Sequence, residues 1–407
     1  MRETKLLNGG LLMLMAGHFT VDLYSGTLPV MYPLLRERFA LDLAATGLIA
    51  TIITASISLS QPLFGLFVDR FGTRNLGWVA VLWMGACFSL IGFAPSYPAV
   101  LAAGVLAGLG SGAFHPLGVV NVSVVSDPRR ANVALSLHTI GGTTGYALGP
   151  LIGAGLLGLF GLRGPILILP LAVAVSVWLA RGLGPVEERR RARAARAADG
   201  PVRVTQLRPL LAVLGVVMLR SWCFMVLTAF LPILYRSLGY GAGFYSSLLF
   251  VVIISGSLGT VAGGLAADRF NRRPAIVASL VLLAPAIWLL LAFPGPGAFF
   301  FGALVGLVAD FSLPAIMTLA QGLMPGRAGV TSGLILGIGF VMGGIGVSIT
   351  GVIADRIGLT QALALLPILL VGALALTVLI PSDRPKVRGE TLVGTEGMAR
   401  EAVLARE

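Results

Sequence analysis

Long apolar runs broken by short polar ones recur along almost the whole chain. A helix needs about 20 mostly apolar residues to cross roughly 30 Å of hydrocarbon. Runs of that length cover approximately Leu6–Val30, Ala44–Val68, Leu76–Ala94, Ala99–Val125, Ala131–Leu159, Pro165–Leu183, Leu210–Leu234, Gly243–Ala267, Ala275–Phe293, Ala298–Leu323, Val330–Ala354 and Leu359–Ile380. They predict twelve membrane-spanning helices. The first follows Arg2 and Lys5 as a signal peptide would, but it is too long for a signal h-region and carries Asp22, so it reads as a retained helix.

Composition narrows the class. Apolar residues make up 57% and charged residues 11% of the 407, against about 25% charged in a soluble domain, which excludes water as the main solvent. Lys and Arg gather on the side of both termini, 23 against 5 on the other, with Arg220 inside a helix. The bias of basic loops toward the cytoplasm places both termini there. It also accounts for a net charge of +12 and a pI near 10.7 without a nucleic-acid partner, since the cations face an anionic leaflet. Cys87 and Cys223 both fall in spans and supply neither a disulfide framework nor metal-ligand spacing.

The polar segment Glu187–Arg203 follows the sixth span and divides the spans six and six. The expected organisation is a six-helix bundle over residues 1–183, a cytoplasmic basic linker over 184–208, a second six-helix bundle over 209–381, and a cytoplasmic tail over 382–407 expected to be disordered. The halves repeat. "GLFVDRFGTR" (Gly65–Arg74) corresponds to "GLAADRFNRR" (Gly264–Arg273), with Asp69 and Asp268 offset by 199 residues. Pro128 in "DPRRA" and Pro325 in "MPGRAG" are offset by 197. Such a repeat argues for a transporter whose site lies between two bundles.

The glycine-aspartate-arginine loop in both halves resembles the signature of the major facilitator superfamily. Within it the chain is similar to the fosmidomycin resistance subfamily, on "HFTVD" (His18–Asp22), "YPLLRERF" (Tyr32–Phe39), "GSGAFHP" (Gly110–Pro116) and "LMPGRAGVTSGL" (Leu323–Leu334). The resemblance covers nearly all of residues 8–380. It implies an all-α membrane protein of 12 transmembrane helices in two six-helix bundles. It also implies that spans 1, 4, 7 and 10 surround a central cavity while 3, 6, 9 and 12 face lipid. Val21 and Leu117 stand where the subfamily often has asparagine and glutamate, and Asn271 replaces the usual glycine of the second signature loop, predicting a different turn there.

A charge within hydrocarbon costs at least ~2.5–3.5 kcal/mol, so ionisable groups well inside spans are functional candidates. They are His18 and Asp22 in span 1, His115 in span 4, His138 in span 5, Arg220 in span 7 and Asp310 in span 10, none on the lipid-facing set. His18 and Asp22 are four residues apart and share a helix face, continued by Ser25 and Pro29. Asp22 either exchanges a proton as the cavity changes sides or stays ionised in a structural bond with His18. Arg220 needs an acceptor, Asp22 or Asp310, which it either keeps or surrenders to an anionic substrate. Asp310 is correspondingly a substrate or proton site, or Arg220's fixed partner, just before the helix-weakening Pro314.

Pro116 removes a backbone hydrogen bond one residue after His115, which predicts a kink and an inward-facing ring that binds substrate, relays a proton or serves the bent backbone. Gly104, Gly108 and Gly112 in span 4, and Gly141, Gly145, Gly149 and Gly153 in span 5, form strips for close helix approach. The second strip resembles a motif associated with antiporters. His138 and Tyr146, eight residues apart, are expected on the inner face of span 5, although His138 could equally meet a neighbouring helix. Asp69 and Asp268, with Arg70, Arg74, Arg269, Arg272 and Arg273, are candidate inner-gate residues, a carboxylate there accepting from a helix N-terminus of the other bundle.

The resulting expectation is a monomeric, proton-coupled antiporter of a bacterial inner membrane, exporting small amphipathic or anionic compounds such as drugs. Asp22 and His18 would couple protons. His115, Arg220, Asp310, His138 and Tyr146 would meet the substrate. Protons, a small-molecule substrate and membrane lipids are the partners, with no cofactor, metal or nucleic acid. Import or exchange of an organic anion, or carriage of a lipid or lysolipid, are the alternatives within transport. A membrane enzyme lacks a supporting constellation, and a receptor or scaffold would leave the repeated loops unexplained.

Overall fold

The computed structural model describes residues 8–126, 131–194, 205–324 and 328–381. Among them every regular element is helical: α1 (Gly9–Phe39), α2 (Leu43–Phe71), α3 (Arg74–Ile91), α4 (Tyr97–Val125), α5 (Ala131–Phe160), α6 (Leu169–Ala194), α7 (Leu207–Ser237), α8 (Ala242–Phe270), α9 (Arg272–Ala292), α10 (Gly297–Phe311), α11 (Leu313–Leu323), α12 (Ala328–Ile357), α13 (Leu359–Ala364) and α14 (Leu366–Leu376). Ten stretches are long and apolar enough to cross a membrane. One of them, 134–192, runs through both α5 and α6, and α1 falls outside the ten although it is 31 residues long. Its His18 and Asp22 dilute an otherwise apolar run. The arrangement is consistent with the twelve expected spans.

Several spans are jointed rather than continuous. A 3-10 segment, Gly161–Ile168, links α5 to α6 where Pro165 removes a donor. The expected tenth span breaks at Ser312, so α10 and α11 are separate helices with Pro314 in the first turn of the second, the position proline tolerates best. The last span divides likewise at Leu365, before Pro367.

The internal repeat is visible in the packing. In the first half α1 packs on α5, α2 on α4 and α3 on α6; in the second, α7 packs on α12, α8 on α10 and α9 on α14. Counted as membrane passes, these are the same three pairings six passes later. The halves meet through α2 against α12 and α5 against α8, contacts that the same pseudo-twofold exchanges. The signature loops agree as well: Gly72 and Asn271, 199 residues apart, have φ of 84° and 76° with extended ψ. The different turn expected for Asn271 is therefore absent. Positive φ with extended ψ is a conformation that glycine alone adopts without strain, so Asn271 holds it at a cost and the loop keeps its shape.

Glycine strips bring particular helices to backbone contact. On α5, a Cβ at Gly145 would run into the Phe19 carbonyl of α1, and one at Gly149 would lie 2.5 Å from Gly26 C. On α4, Gly104, Gly108 and Gly112 face Ile53, Ser56 and Ser60 of α2. A helix crossing this close exchanges side-chain bulk for many short dispersion contacts, which is how helices associate in lipid.

The polar segment expected as a linker from residue 184 is helical as far as Ala194, so α6 continues past its apolar part. Glu187, only 4% exposed, anchors this extension. Its carboxylate accepts from the Thr73 backbone N–H (2.9 Å) and hydroxyl (2.9 Å) at the start of α3, and from Arg190 (2.9 and 3.0 Å) and Arg191 (2.8 Å). Burial pushes the Glu187 carboxyl up, but hydrogen bonds from Arg190, the Thr73 amide, Arg191 and the Thr73 hydroxyl outweigh it and bring it down to about 2. A carboxyl depressed by folding adds stability above its unfolded value near 4.5, and loses it as pH falls toward 2. Glu187→Gln is therefore expected to lower the thermal midpoint at pH 7 but to differ little from the parent at about pH 2 and below. Equal effects at both pH values would dismiss the anchor.

Candidate functional site

A cavity of about 300 Å³ lies between the two halves, walled by α1, α2, α3, α4 and α5 on one side and by α7, α10, α11 and α12 on the other. On α1 the spacing of three and four residues brings Asp22, Ser25, Pro29 and Tyr32 to the wall, the face anticipated from His18 and Asp22. His115, Tyr146, Arg220 and Asp310 also line it. α3 contributes Met84 and Phe88, so the third span does not face lipid alone.

Two polar clusters occupy opposite walls. In the first, Asp22 is shared by two histidines: Oδ2 lies 3.3 Å from His18 Nε2 and Oδ1 lies 3.7 Å from His115 Nε2. His18 Nδ1 is 2.9 Å from the His138 carbonyl and His115 Nδ1 is 2.9 Å from the Ser111 carbonyl. A carbonyl only accepts, so both Nδ1 atoms carry hydrogen and both Nε2 atoms turn toward the carboxylate. Gly142 of α5 makes room for this group, since a Cβ there would stand 2.5 Å from His18 Nε2 and 2.6 Å from Asp22 Oδ2.

In the second cluster Arg220 of α7, 6% exposed, donates to Asp310 Oδ1 at 3.0 Å and to the Ala309 carbonyl, while its Nε has no protein partner. Of the two carboxylates open to it from the sequence, Arg220 therefore holds Asp310. The break after Phe311 places that carboxylate beside Gly256 of α8, where a Cβ would come within 2.6 Å of Asp310 Oδ2.

His138 does not reach the cavity wall. It is 1% exposed, its ring stacks on His18 with centroids 4.4 Å apart, and its Nδ1 has no protein partner. The helical repeat does not keep residues 138 and 146 on one face of α5, because eight residues overshoot two turns and α5 is pressed against α1 on one side. Among the gate candidates, the side chains of Asp69 and Asp268 lie outside the described residues. Arg70 and Arg269 are exposed and stack over the adjacent Phe71 and Phe270 at 5.3 and 5.4 Å, again at repeat-related positions. Arg74 is exposed and Arg272 partly buried.

The end of the molecule remote from the termini is held by contacts that the sequence reading missed. Asp355 at the end of α12 accepts from the backbone N–H groups of Leu43 and Ala44 at the start of α2, both at 2.9 Å. Glu37 at the end of α1 takes a two-pronged pair from Arg236 at the end of α7, at 2.6 and 2.7 Å. Farther along α2, Thr51 bonds Ser348 of α12 at 2.7 Å. On the terminus side of the same helix Leu59, Leu63, Leu66 and Phe71 are exposed, as are Leu258, Leu265 and Phe270 of α8. Three of these pairs (59 and 258, 66 and 265, 71 and 270) share the 199-residue offset.

A two-bundle helical membrane fold with a polar cavity at the bundle interface defines a transporter. The Major Facilitator Superfamily family model matches residues 14–347. The chain belongs to that superfamily. It is 32% identical over 385 residues to the uncharacterized MFS-type transporter YfnC of Bacillus subtilis (strain 168), covering 90% of this chain and 91% of the relative. It is 28% identical over 386 residues to the fosmidomycin resistance protein of Escherichia coli (strain K12), covering 91% and 92%. Its fold matches the crystal structure of a bacterial homologue of the human lysosomal transporter Spinster, in an inward-facing and occupied conformation. That match has a TM-score of 0.74 at 17% identity and covers 91% of this chain and 95% of the other. The protein is thus a multi-pass membrane transporter of small molecules, and not an enzyme.

Because Arg220 is buried beside one carboxylate, removing that carboxylate alone strands a charge. Asp310→Asn is expected to cost about 3 kcal/mol of stability, and Arg220→Met combined with Asp310→Asn to cost less. Thermal unfolding in detergent checks this, and a double variant weaker than the single one would contradict it.

Proposed function

We propose that this transporter is a proton-coupled antiporter that exports small amphipathic or anionic compounds, with its termini on the cytoplasmic side of a bacterial inner membrane. One observation carries the reading: the sole carboxylate of the first cluster, Asp22, is exposed to the cavity and in reach of two histidines, while the opposite wall offers a guanidinium with an unpartnered Nε. A proton binds at Asp22 and His18, and an anionic or polar group binds at Arg220. The two ligands compete through His115, which is within reach of Asp22 and also lines the cavity: a substrate that engages this ring takes it from the proton site, so one ligand favours release of the other.

In this reading His115 belongs to both functions, since it touches Asp22 and lines the cavity. Tyr146 adds a hydroxyl beside that of Thr143 on the same wall, and Asp310 holds Arg220 until an anion replaces it. His138 steadies His18 from behind. The far-end contacts through Asp355 and Glu37 close the outer side, and the exposed apolar residues of α2 and α8 pack together when the inner side closes. Asp69 and Asp268, with Arg70, Arg74, Arg269 and Arg272, act at that inner gate. The basic terminus-side loops support the orientation, and the similarity to a fosmidomycin resistance protein supports export of a drug-like compound.

The test uses proteoliposomes loaded with a pH-sensitive dye, a proton gradient and a panel of amphipathic anions. The parent protein should move protons against substrate, and Asp22→Asn should lose at least about tenfold of the coupled flux. Undiminished coupling in Asp22→Asn would end this assignment. Flux running with the proton gradient instead of against it would favour import of an organic anion.

A further inference from the structure

The first cluster has a chemistry that a single proton does not satisfy. Both Nδ1 atoms are committed as donors to backbone carbonyls, those of His138 and Ser111 at 2.9 Å. In the neutral rings both Nε2 atoms are then lone-pair acceptors, aimed at a third acceptor, the Asp22 carboxylate. One proton relieves one of the two contacts. A single cation among the three relieves both.

The arrangement matches the second shell of a metal centre, in which a ligating imidazole gives its other N–H to a carbonyl and so fixes tautomer and ring orientation. The three groups, His18 Nε2, an Asp22 carboxylate oxygen and His115 Nε2, offer donor atoms that all lie within 4.8 Å of one another; Asp22 Oδ2 is 3.3 Å from the His18 nitrogen and Oδ1 is 3.7 Å from the His115 nitrogen. Ligands at about 2.0–2.2 Å from a tetrahedral ion stand roughly 3.3–3.5 Å apart. Turning the Asp22 carboxyl to present one oxygen, together with a rotation of His115, the most exposed of the three, would draw the group in from 4.8 Å to that spacing. Gly142 supplies the clearance on the α5 side. Two nitrogens and one carboxylate suit zinc, cobalt(II) or nickel(II) better than calcium or magnesium.

We infer that His18, Asp22 and His115 form a binding site for one late first-row divalent cation, open to the transport cavity on its remaining coordination positions. A divalent cation brings the same charge into the pocket as two protons, so it competes with the proton-loaded form. Its open positions face the cavity, where a chelating anion would complete the shell. The site escapes a search by ligand spacing because its three residues come from two helices and 97 positions of chain. His138, the third histidine, is not a ligand; its backbone carbonyl orients one.

The inference shares residues with the proton-coupling proposal but is tested without transport. Tag-free purified protein in detergent is titrated with cobalt(II), following its visible ligand-field bands and the heat of binding. One equivalent should bind saturably with the spectrum of nitrogen-ligated cobalt and be displaced by zinc. His18→Gln and His115→Gln should each weaken binding at least about a hundredfold, and Tyr146→Phe should leave it unchanged. Monodisperse elution and a cooperative thermal transition establish that each variant is folded. Absence of saturable binding to the parent protein overturns the inference, as does binding that survives in both histidine variants. Cobalt binding with intact coupling in Asp22→Asn would remove the proton proposal and leave this one standing; coupling without cobalt binding would do the reverse.

Discussion

Ionised groups in a low-dielectric slab must be neutralised within a few ångströms, and that requirement organises the centre of this molecule. Asp22, Arg220 and Asp310 each find an opposite charge or a hydrogen-bonding ring in reach, and they do so around one cavity. The two clusters lie on opposite walls, so each is complete inside its own half. The halves can therefore separate or rotate without stranding a charge. Had Arg220 paired with Asp22 instead, every motion between the halves would break a buried ion pair.

The rest of the design follows from keeping each half stiff. α1 is pressed to α5 and α4 to α2 through glycines whose replacement would force backbone against side chain or backbone. Close-packed pairs of this kind move as units, because a packed interface deforms little before it gives way. Between the halves, α2 and α12 also approach closely at Gly47, Gly344 and Gly351, but this contact is joined by polar groups: end caps, an exposed ion pair and hydroxyls on α2 and α12. Such directional, hydrated contacts form and break at modest cost. Rigid halves joined by polar latches are what alternating access around a fixed cavity needs.

Much of this was legible in the chain. Span length, loop charge and the 199-residue offset led to a two-bundle transporter, the resemblance of its repeated loop pointed to the superfamily, and the cost of burying charge picked out Asp22, His115, Arg220 and Asp310. Local spacing also placed Ser25 and Pro29 beside Asp22. What stayed hidden was tertiary. No periodicity brings His115 of α4 to Asp22 of α1, or tells that His138 stacks behind His18 while Tyr146 reaches the wall. Glu187, Asp355 and Glu37 looked like ordinary polar residues at helix ends, where a solvated carboxylate is the usual outcome. Their partners are 114, 312 and 199 positions away. The extension of α6 to Ala194 was obscured because a basic run reads as surface whether or not it is helical.

The two latches at the far end differ in how they respond to ions. Glu37 and Arg236 are more than a third exposed, so their attraction is screened once the Debye length shrinks from about 8 Å toward 3 Å at molar salt. Asp355, itself exposed, grips two neutral amides at the start of a helix by short, directional bonds, so less of its hold is a charge–charge attraction that salt screens. Higher salt on that side of the membrane therefore loosens the corner between α1 and α7 first, while the corner between α2 and α12 stays fastened. Opening toward that side becomes lopsided, hinging about one edge, and its probability is set partly by the osmotic surroundings of the cell.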